Sequence, residues 1–405
     1  MSLQSVGYSG YYAQFFFPAT GQWLKLLLDS GSSTTAVTCD ASAVQYSATF
    51  YNANGSKSFR GDGSQVASAV YNSGKWSGYW AKDFVGLGRG QVALSDFACI
   101  TSSEGFFHEN GIWDGIFGLA YPDLLSASPT GVKPVLDSFV AQANLTDSFL
   151  LSLCGRPDVN SDLLTGSVTF GYPVDGNLTA DFFWITLYKP WYFDVMMSDI
   201  FVDGNSLELP CTVYNQRKVI VDSGTGSIRL PHSVYNQLIA AIAQKLQSPH
   251  LSGGFWQGEK EICWSLPEAR RQFLIWPVLS FELLSSDEQT SYSVRIQVLP
   301  EQYLVPSMSW PDHSTRCFHL GFVSSTEPDI ILGDVFLEGV TALFDRGGKR
   351  LGFKSSSCTK WSERLRQPLV EKRPSEIGEY RKCSESRQAA SIRSIDLFFF
   401  ETRFE

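Results

Sequence analysis

The stretch Leu26-Leu27-Leu28-Asp29-Ser30-Gly31-Ser32-Ser33 joins an apolar run to a carboxylate and a tight turn. A second copy, Val219-Ile220-Val221-Asp222-Ser223-Gly224-Thr225-Gly226, stands in the other half of the 405-residue chain. Each apolar run predicts a buried strand, and each Ser-Gly pair predicts a sharp turn whose backbone angles favour glycine. We expect the hydroxyls of Ser32 and Thr225 to reach back to the carboxylates that precede them.

An internal duplication with one aspartate in each half indicates a paired-carboxylate site where the halves meet. Two neighbouring carboxylates cannot both ionise cheaply, so such a pair shares a proton. One member can then act as general base on a water while the other donates a proton to a carbonyl oxygen. A single Asp-Ser-Gly indicates only a turn, but two copies, each between an apolar triplet and a hydroxyl residue, favour the catalytic interpretation.

The two motifs resemble the signature of the pepsin-like aspartic proteases, in which a hydrophobic residue precedes Asp-Thr/Ser-Gly-Ser/Thr in both halves. Residues 113–121 and 330–336 resemble the apolar-apolar-Gly segments that thread beneath each active-site loop of that family, and residues 344–353 resemble its last hairpin. The resemblance covers about residues 8 to 358. The segments most similar to the beta-secretase branch are Gly10-Tyr11-Tyr12, Gly74-Lys75-Trp76, Ile228-Arg229-Leu230-Pro231, Gly254-Phe255-Trp256 and Leu299-Pro300-Glu301-Gln302-Tyr303-Leu304.

The resemblance implies a mainly β protein with the bilobal acid-protease fold, in which two pseudo-two-fold related β lobes flank an active-site cleft. Short apolar stretches between turn residues fit this architecture. We expect an N-terminal lobe over residues 8–172, a C-terminal lobe over 173–358 and a tail over 359–405, with the lobe boundary near 171–175. We predict strands at residues 12–17, 23–28 and 37–39, and helices at 134–142 and 233–247, with Ser233 as the N-cap of the second helix.

The overall charge bears on the class of partner. A net charge of −9 and a pI near 5.2 argue against nucleic acid or anionic lipid as the main partner. The cysteines show no CxxC spacing, and no apolar run approaches the ~20 residues of a membrane span. The resemblance implies polypeptide substrates, peptide-like transition-state inhibitors, a monomeric protein and no cofactor or metal.

The cellular compartment is predicted from cysteines and sequons. Eight cysteines and the sequons at Asn54, Asn144 and Asn177 favour the secretory or endosomal pathway. Beta-secretases are type I membrane proteins with a propeptide. The resemblance therefore implies an ectodomain trimmed of its signal peptide, propeptide and membrane anchor, which acts on ectodomains of membrane proteins. A naturally soluble enzyme is the alternative.

The resemblance also implies disulfides. The three bridges of beta-secretases correspond to Cys154–Cys358, Cys211–Cys383 and Cys263–Cys317. Cys39 and Cys99 remain, and we predict a fourth bridge between them, with two buried free thiols as the alternative. Residues 359–405 become charged and nearly strandless, so we expect a tail that is stapled by Cys383 and ends in a disordered segment.

A hairpin is predicted between the first aspartate and Trp113. Residues 69–76 carry turn chemistry at Asn72-Ser73-Gly74 with an aromatic residue on each arm. The segment resembles the flap that closes over the substrate in this family. That implies that Tyr71 forms a wall of the substrate pocket and that Trp76 is its hydrogen-bond partner. An ordinary surface hairpin is the alternative.

Substrate pockets are assigned by the same resemblance. The residues that match the apolar pocket for the side chain just before the cut are Leu27, Tyr71, Phe106 and Trp113. His108 stands where related proteases have an aliphatic residue, and a partly exposed loop histidine is an equal alternative. Arg229 matches an arginine that faces the second residue before the cut, where it would favour a polar or acidic side chain. A surface arginine on a strand end is the alternative.

Two residues of the catalytic segments depart from the family pattern. Ser30 stands where most members have Thr, but it retains the hydroxyl that locks one active-site loop to the other. Gly226 stands where a hydroxyl residue is usual, so we expect one fewer hydrogen bond to the substrate backbone.

We therefore predict a beta-secretase-like aspartic endopeptidase that works at acidic pH. Its catalytic pair is Asp29 and Asp222, supported by Ser30, Gly31, Ser32, Ser223, Gly224 and Thr225. Both aspartates are present, which argues against a silent relative that only binds peptides. The chain has no Gly-x-Ser-x-Gly or His-Glu-x-x-His, which disfavours serine and metal hydrolases. A pepsin-like digestive or lysosomal enzyme is the nearer alternative.

Overall fold

The computed structural model describes residues 1–5, 10–43, 49–71, 74–88, 90–107, 113–125, 128–155, 165–247, 251, 253–286, 291–307, 314–356, 368–375, 379–385 and 387–388. Within these residues the protein is mainly β and bilobal, as the sequence predicts.

The strands of the first half are mostly short, apart from two of 14 residues. In chain order they are β1 (Ser2–Ser5), β2 (Tyr11–Phe17), β3 (Gln22–Asp29), β4 (Ala36–Thr38), β5 (Val66–Tyr71), β6 (Gly74–Leu87), β7 (Gln91–Glu104), β8 (Gly115–Gly118), β9 (Ser148–Leu153) and β10 (Gly166–Phe170). The predicted strands at residues 12–17, 23–28 and 37–39 are confirmed as β2, β3 and β4.

The strands of the second half are β11 (Phe183–Thr186), β12 (Lys189–Pro190), β13 (Phe193–Asp194), β14 (Met196–Val202), β15 (Asn205–Ser206), β16 (Val219–Val221), β17 (Ile228–Pro231), β18 (Ile262–Ser265), β19 (Leu279–Ser286), β20 (Ser291–Val298), β21 (Leu304–Pro306), β22 (Thr315–Leu320), β23 (Phe322–Ser325), β24 (Ile330–Leu332), β25 (Val340–Asp345), β26 (Arg350–Ser355) and β27 (Val370–Pro374).

The helices are α1 (Val135–Ala143), α2 (Cys211–Tyr214), α3 (His232–Leu246), α4 (Gly253–Trp256), α5 (Leu266–Ile275), α6 (Pro300–Tyr303) and α7 (Asp334–Leu337). Residues 379–385 and 387–388 are also helical. Helices α1 and α3 confirm the two predicted ones. The predicted N-cap of α3 is wrong, because β17 runs directly into this helix. Pro231 is therefore the N-cap, without a side-chain hydrogen bond, and Ser233 falls in the first turn.

The same strand arrangement occurs around both Asp-Ser-Gly turns. In the first half, β8 lies between β3, to which it is parallel, and β4, to which it is antiparallel. In the second half, β24 lies in the same way between β16 and β17. Strand β3 ends at Asp29, and β16 ends one residue before Asp222. The repeat confirms that residues 113–121 and 330–336 thread beneath the two turns.

A 13-stranded sheet runs through both halves, in the order β11-β26-β25-β9-β10-β1-β2-β3-β8-β4-β7-β6-β5. Its hairpin of β25 and β26 confirms the one predicted at residues 344–353. Stacked phenylalanines fill its core: Phe15 lies 4.3 Å from Phe117 and Phe149 lies 4.4 Å from Phe344, between ring centroids. Burial of each such side chain stabilises the fold by about 1.5–3 kcal/mol. Because this sheet continues past residues 171–175, the limits of the lobes stay a prediction.

Three disulfides are formed among the described residues: Cys39–Cys99, Cys211–Cys383 and Cys263–Cys317. The first confirms the predicted fourth bridge, and the other two confirm bridges implied by the beta-secretase resemblance. Cys358 lies outside the described residues, so the Cys154–Cys358 bridge stays a prediction.

The tail contradicts one expectation. Residues 359–405 were expected to be nearly strandless, but β27 pairs antiparallel with β20 at the edge of a five-stranded sheet. Only Val370 of β27 is buried, so the charged sequence carries no apolar pattern that predicts a strand. Cys383 staples the tail to α2. The expected disordered end, residues 389–405, lies outside the described residues.

The glycosylation predicted from the sequons is not tested by the structure. Asn54, Asn144 and Asn177 are all exposed, and their glycosylation stays a prediction. Among the described residues, no helix combines the length and the apolar character that crossing a membrane requires.

Candidate active site

The two aspartates occupy equivalent places in the two halves. Asp29 is 4% exposed and Asp222 is 6% exposed. The backbone of each is bonded to the strand beneath it: Leu119 N–H donates to Asp29 O at 2.8 Å, and Asp222 N–H donates to Leu332 O at 3.0 Å. The apolar strands therefore hold both carboxylates at the bottom of a cleft, largely removed from solvent.

Each carboxylate is oriented by the same two local contacts. Gly31 N–H donates to Asp29 Oδ1 at 2.8 Å, and the Ser32 hydroxyl donates to Asp29 Oδ2. In the other half, Gly224 N–H donates to Asp222 Oδ1 at 2.8 Å, and the Thr225 hydroxyl donates to Asp222 Oδ2 at 2.7 Å. The predicted contacts of Ser32 and Thr225 are thus confirmed. An ionised carboxylate can accept about four hydrogen bonds, so these two contacts do not exhaust its capacity to bind a water or a substrate atom.

A pair of serines ties the two turns together. The Ser30 hydroxyl donates to Val221 O at 3.0 Å, and the Ser223 hydroxyl donates to Leu28 O at 2.9 Å. Each hydroxyl therefore crosses to the strand that carries the opposite aspartate. This confirms that Ser30 keeps the contact between the loops.

The glycines of the turns are required for space. A Cβ atom on Gly31 would lie 2.6 Å from Asp222 Cγ, and one on Gly224 would lie 2.3 Å from Asp29 Oδ1. Neither residue has a positive φ angle, so the prediction that these turns need backbone angles favouring glycine is wrong. Each carboxylate packs against the backbone of the opposite turn, which brings the pair together.

The electrostatics follow from this proximity. Burial raises the pKa of Asp29 well above its ordinary value, and the charge of Asp222 raises it further. The Ser32 hydroxyl and Gly31 N–H stabilise the ionised form and oppose the shift. The pair is therefore arranged to hold one proton between two carboxylates, in the pattern expected for coupled titration.

A cleft of about 640 Å³ opens above the two aspartates. Of the predicted substrate-binding residues, those that line it are Leu27, Tyr71, Phe106, Trp113, Gly226 and Arg229. The rings of Tyr71 and Phe106 are stacked with centroids 5.5 Å apart. Tyr71 ends β5, which pairs with β6 as the predicted hairpin, although its tip residues 72–73 lie outside the described residues.

Comparisons with known proteins agree with this arrangement. A family profile described as eukaryotic aspartyl protease matches residues 10–356. The chain belongs to the eukaryotic aspartyl proteases. It is 33% identical over 368 residues to the beta-secretase of Strongylocentrotus purpuratus, across 86% of this chain and 67% of that protein.

More distant relatives support the same class of enzyme. This aspartyl protease is 26% identical to cathepsin D of Dictyostelium discoideum, across 85% of this chain and 83% of that protein. It is also 26% identical to pepsin A-5 of Mus musculus, across 82% of this chain and 77% of that protein. The chain is thus an aspartic-type endopeptidase, a hydrolase whose substrates are peptides.

One predicted substrate-binding residue of this protease, Trp76, does not line the cleft. Its side chain is buried, and it belongs to β6, the second strand of the hairpin. Its hydrogen bond with Tyr71 stays a prediction: neither Tyr71 Oη nor Trp76 Nε1 has a partner at ordinary hydrogen-bond geometry among the described residues, although Trp76 lies close enough to lower the pKa of Tyr71. Burial and the charge of Asp29 raise the pKa of Tyr71, and Trp76 and Ser32 lie near enough to oppose the shift. His108 lies outside the described residues.

Three further residues of the cleft were not predicted from the sequence. Ile220, Lys218 and Tyr192 also line it, and Lys218 Nζ lies 4.3 Å from the centre of the Tyr192 ring. Ile220 could have been found, because it precedes Asp222 by two residues as Leu27 precedes Asp29, and alternate residues of a strand share a face. Tyr192 comes from a distant segment and carries no such signal.

Proposed function

We propose that the chain is a beta-secretase-like aspartic endopeptidase in which Asp29 and Asp222 activate a water at acidic pH. The single observation that carries the proposal is the matched pair of buried carboxylates, each oriented by a glycine N–H and a hydroxyl. Burial and the charge of Asp222 raise the pKa of Asp29, which supports a pair that shares one proton.

The mechanism follows from one shared proton. A water held between the carboxylates attacks the scissile carbonyl carbon, and the ionised member accepts the proton that this water loses. The protonated member donates a hydrogen bond, and then its proton, to the carbonyl oxygen as negative charge develops there. The hairpin of β5 and β6 would close over the peptide, exclude water and strengthen these interactions.

Substrate preference is the finer part of the proposal. Tyr71, Phe106 and Trp113 form an apolar wall for the side chain before the cut, and Arg229 contributes a cation to the same cleft. A cation there favours an acidic or polar side chain two residues before the cut. This supports beta-secretase-like specificity over the broader apolar preference of a pepsin-like digestive enzyme.

The compartment belongs to the proposal as well. Three disulfides among the described residues favour an oxidising compartment, which supports the secretory or endosomal pathway. We infer that the substrates include ectodomains of membrane proteins that meet the enzyme there, and that Asn54, Asn144 and Asn177 are glycosylated.

The catalytic pair is tested by substitution. Asp29→Asn and Asp222→Asn should each remove nearly all kcat while the protein stays folded, because water activation needs both carboxylates. Asp62→Asn, at an exposed position, is the matched control and should keep full activity. Wild-type activity should follow a bell-shaped pH profile with an acidic maximum. An active Asp222→Asn enzyme with the wild-type pH profile would refute the pair.

Specificity needs a separate measurement. Cleavage of a peptide library at pH 4 to 6 should select Asp, Asn or Glu at the second residue before the cut. Selection of large apolar residues on both sides of the cut, without that preference, would favour the pepsin-like alternative.

A further inference from the structure

A buried ion pair outside the cleft joins the C-terminal tail to the body of the protease. Arg387 Nη2 lies 2.7 Å from each carboxylate oxygen of Asp194. The side chains of Arg387 and Asp194 are 7% and 2% exposed, so the pair is shielded from solvent. The guanidinium also lies 4.4 Å from the centre of the Tyr188 ring, and its Nη1 donates to Val195 O at 3.4 Å.

Asp194 contacts the strand that leads to Asp222. It pairs with Ile220 in the antiparallel ladder of β13 and β16. Its Oδ1 also accepts a hydrogen bond from Val219 N–H at 3.1 Å. Val219 begins β16, which ends immediately before Asp222. One carboxylate therefore connects the tail guanidinium to the short strand that delivers the second aspartate.

The same strand is supported by a covalent tether. The Cys211–Cys383 disulfide joins the tail to α2, a few residues before β16. Asn215 lies between α2 and β16. Its Oδ1 accepts a hydrogen bond from Met197 N–H at 3.0 Å, and its Nδ2 donates one to Met197 O at 2.6 Å. The segment that enters β16 is thus fixed to the tail by the disulfide and to β14 by Asn215, and Arg387 adds an ionic contact to β13 beside it.

We propose that Arg387 is a positioning residue of this protease, which holds β16 through Asp194 so that the Asp222 carboxylate stays beside Asp29. The inference rests on the proposed function, because it assumes that Asp222 is one of the catalytic pair. Catalytic groups are sensitive to such support, since a misplacement of about 1 Å can lower a rate roughly 100-fold. The tail then supports the active site, although none of its described residues lines the cleft.

The pair also gives the proposal a pH signature. Burial raises the pKa of Asp194 to about 6, and Arg387 is the strongest influence that opposes this shift. The other ionisable groups near it among the described residues are Lys218, which opposes the shift more weakly, and the phenols of Tyr188 and Tyr380. Without Arg387, an ionised Asp194 would be a buried carboxylate that lacks its main counterion. Loss of Arg387 should therefore be more harmful at pH 7, where Asp194 of the wild type is ionised and paired with Arg387, than at pH 4.5, where Asp194 is protonated with or without Arg387.

The experiment compares three variants of the full chain. Arg387→Met keeps the length of the side chain and removes the charge, whereas Arg387→Lys keeps the charge without the planar guanidinium. Arg381→Met is the matched control, because Arg381 is also a helical residue of the tail but its side chain is 81% exposed and pairs with Glu385 at 2.7 Å. Steady-state kcat and KM between pH 4 and 7 are measured alongside Tm and the state of the Cys211–Cys383 disulfide.

We expect kcat of Arg387→Met to fall about 10- to 100-fold while KM stays nearly unchanged. The fall in kcat should be larger at pH 7 than at pH 4.5. Arg387→Lys should recover part of the loss, and Arg381→Met should match wild type. An unchanged kcat in Arg387→Met would overturn the proposal. A loss that is equal at every pH and matches the unfolded fraction would overturn it too, because that result is plain destabilisation. If Arg387→Met does not fold, Arg387→Lys and Asp194→Asn decide the question by the same criteria.

One further variant separates the two proposals. Asp222→Asn is assayed beside the Arg387 variants. If the Asp222→Asn enzyme is active, both proposals are refuted: the catalytic pair and the positioning role of Arg387. If the Asp222→Asn enzyme is inactive and the Arg387→Met enzyme is fully active, only the positioning role of Arg387 is refuted.

Discussion

Ser30 and Ser223 exchange hydrogen bonds across the two halves of the protein. Ser223 N–H donates to Ser30 Oγ at 2.9 Å, and Ser30 N–H donates to Ser223 Oγ at 3.2 Å. Because both serines also donate to opposite strands, each turn is fixed by the other, and both are fully buried. The distance between the two carboxylates is thus set by two serines as well as by the strands beneath.

The first prediction concerns this contact. Ser30→Ala leaves Ser223 N–H and Val221 O without partners, and each such buried group costs about 1–3 kcal/mol of stability. We expect a lower Tm and a fall in kcat beyond what unfolding explains, because the two turns lose their alignment. Ser30→Thr is the control, since it retains the hydroxyl and should keep activity. Wild-type kcat and Tm in Ser30→Ala would contradict this role.

The second prediction is a pH dependence of stability. The pKa of Asp29 is raised in the folded protein, so folding favours its protonated form. The resulting stabilisation is complete below the unfolded pKa of about 3.9 and is lost as pH rises through the folded pKa. Asn cannot ionise, so the Tm of Asp29→Asn should rise relative to wild type as pH increases from about 4 to 7.

Asp83 provides a control of opposite sign. Burial raises its pKa, but hydrogen bonds from Ser56, Ser58 and Tyr51 outweigh burial and lower it overall. Ionised Asp83 therefore stabilises the fold above its unfolded pKa, and Asp83→Asn should lose Tm relative to wild type as pH rises. A Tm difference for Asp29→Asn that is constant across the pH range would show that Asp29 titrates normally.

The sequence predicted the two catalytic aspartates and their local hydrogen bonds, but not the distant residues that hold them in place. Asp29 and Asp222 follow apolar triplets, and the hydroxyls of Ser32 and Thr225 lie in the same short segments. A local pattern was therefore sufficient for these contacts. Arg387 and Asp194 are 193 residues apart and meet only through the fold, so no sequence period connects them.

Strand β27 and the reason for glycine at position 31 were also not predicted, and each has a physical explanation. Strand β27 buries only Val370 and contains Glu371, Lys372 and Arg373, so an edge position left no apolar alternation to detect. Glycine is required at position 31 because a Cβ atom there would collide with the Asp222 carboxylate, and a propensity for turns cannot reveal that contact.

The third prediction concerns the Cys39–Cys99 bridge. Removing both cysteines as Cys39→Ala/Cys99→Ala opens a loop of sequence separation 60, which should cost about 4 kcal/mol in the chain-entropy model. The bridge joins residues next to β4 and within β7, and β7 pairs with the hairpin strand β6. We therefore expect KM to rise as the hairpin loses alignment.

The bridge at Cys263–Cys317 is a matched control. Its sequence separation of 54 predicts a similar loss of stability, but it lies outside the sheet that bears the hairpin, so its removal should leave KM unchanged. Thiol titration of denatured, unreduced wild type should find no free thiol from Cys39 or Cys99. Equal KM values in the two double variants would show that the Cys39–Cys99 bridge does not align the hairpin for substrate binding.

The last prediction concerns Arg229. In β17 the neighbouring Ile228 and Leu230 are fully buried, so strand alternation directs Arg229 to the opposite face, where it lines the cleft. Among the described residues it forms no salt bridge, which leaves its guanidinium available to a substrate carboxylate. A partly desolvated contact of this kind contributes about 1.5–3 kcal/mol, or roughly one to two decades in selectivity. Solvent in the pocket would reduce it to ~1 kcal/mol or less.

The measurement uses paired peptides that differ only at the second residue before the cut, with Asp in one and Lys in the other. The ratio of their kcat/KM values should fall toward unity in Arg229→Ala, and Arg229→Lys should keep part of the preference. Lys218→Ala is the matched control, since it removes one positive charge from the same cleft at another position. An unchanged ratio in Arg229→Ala, or an equal fall in Lys218→Ala, would mean that the preference does not depend on a direct contact with Arg229.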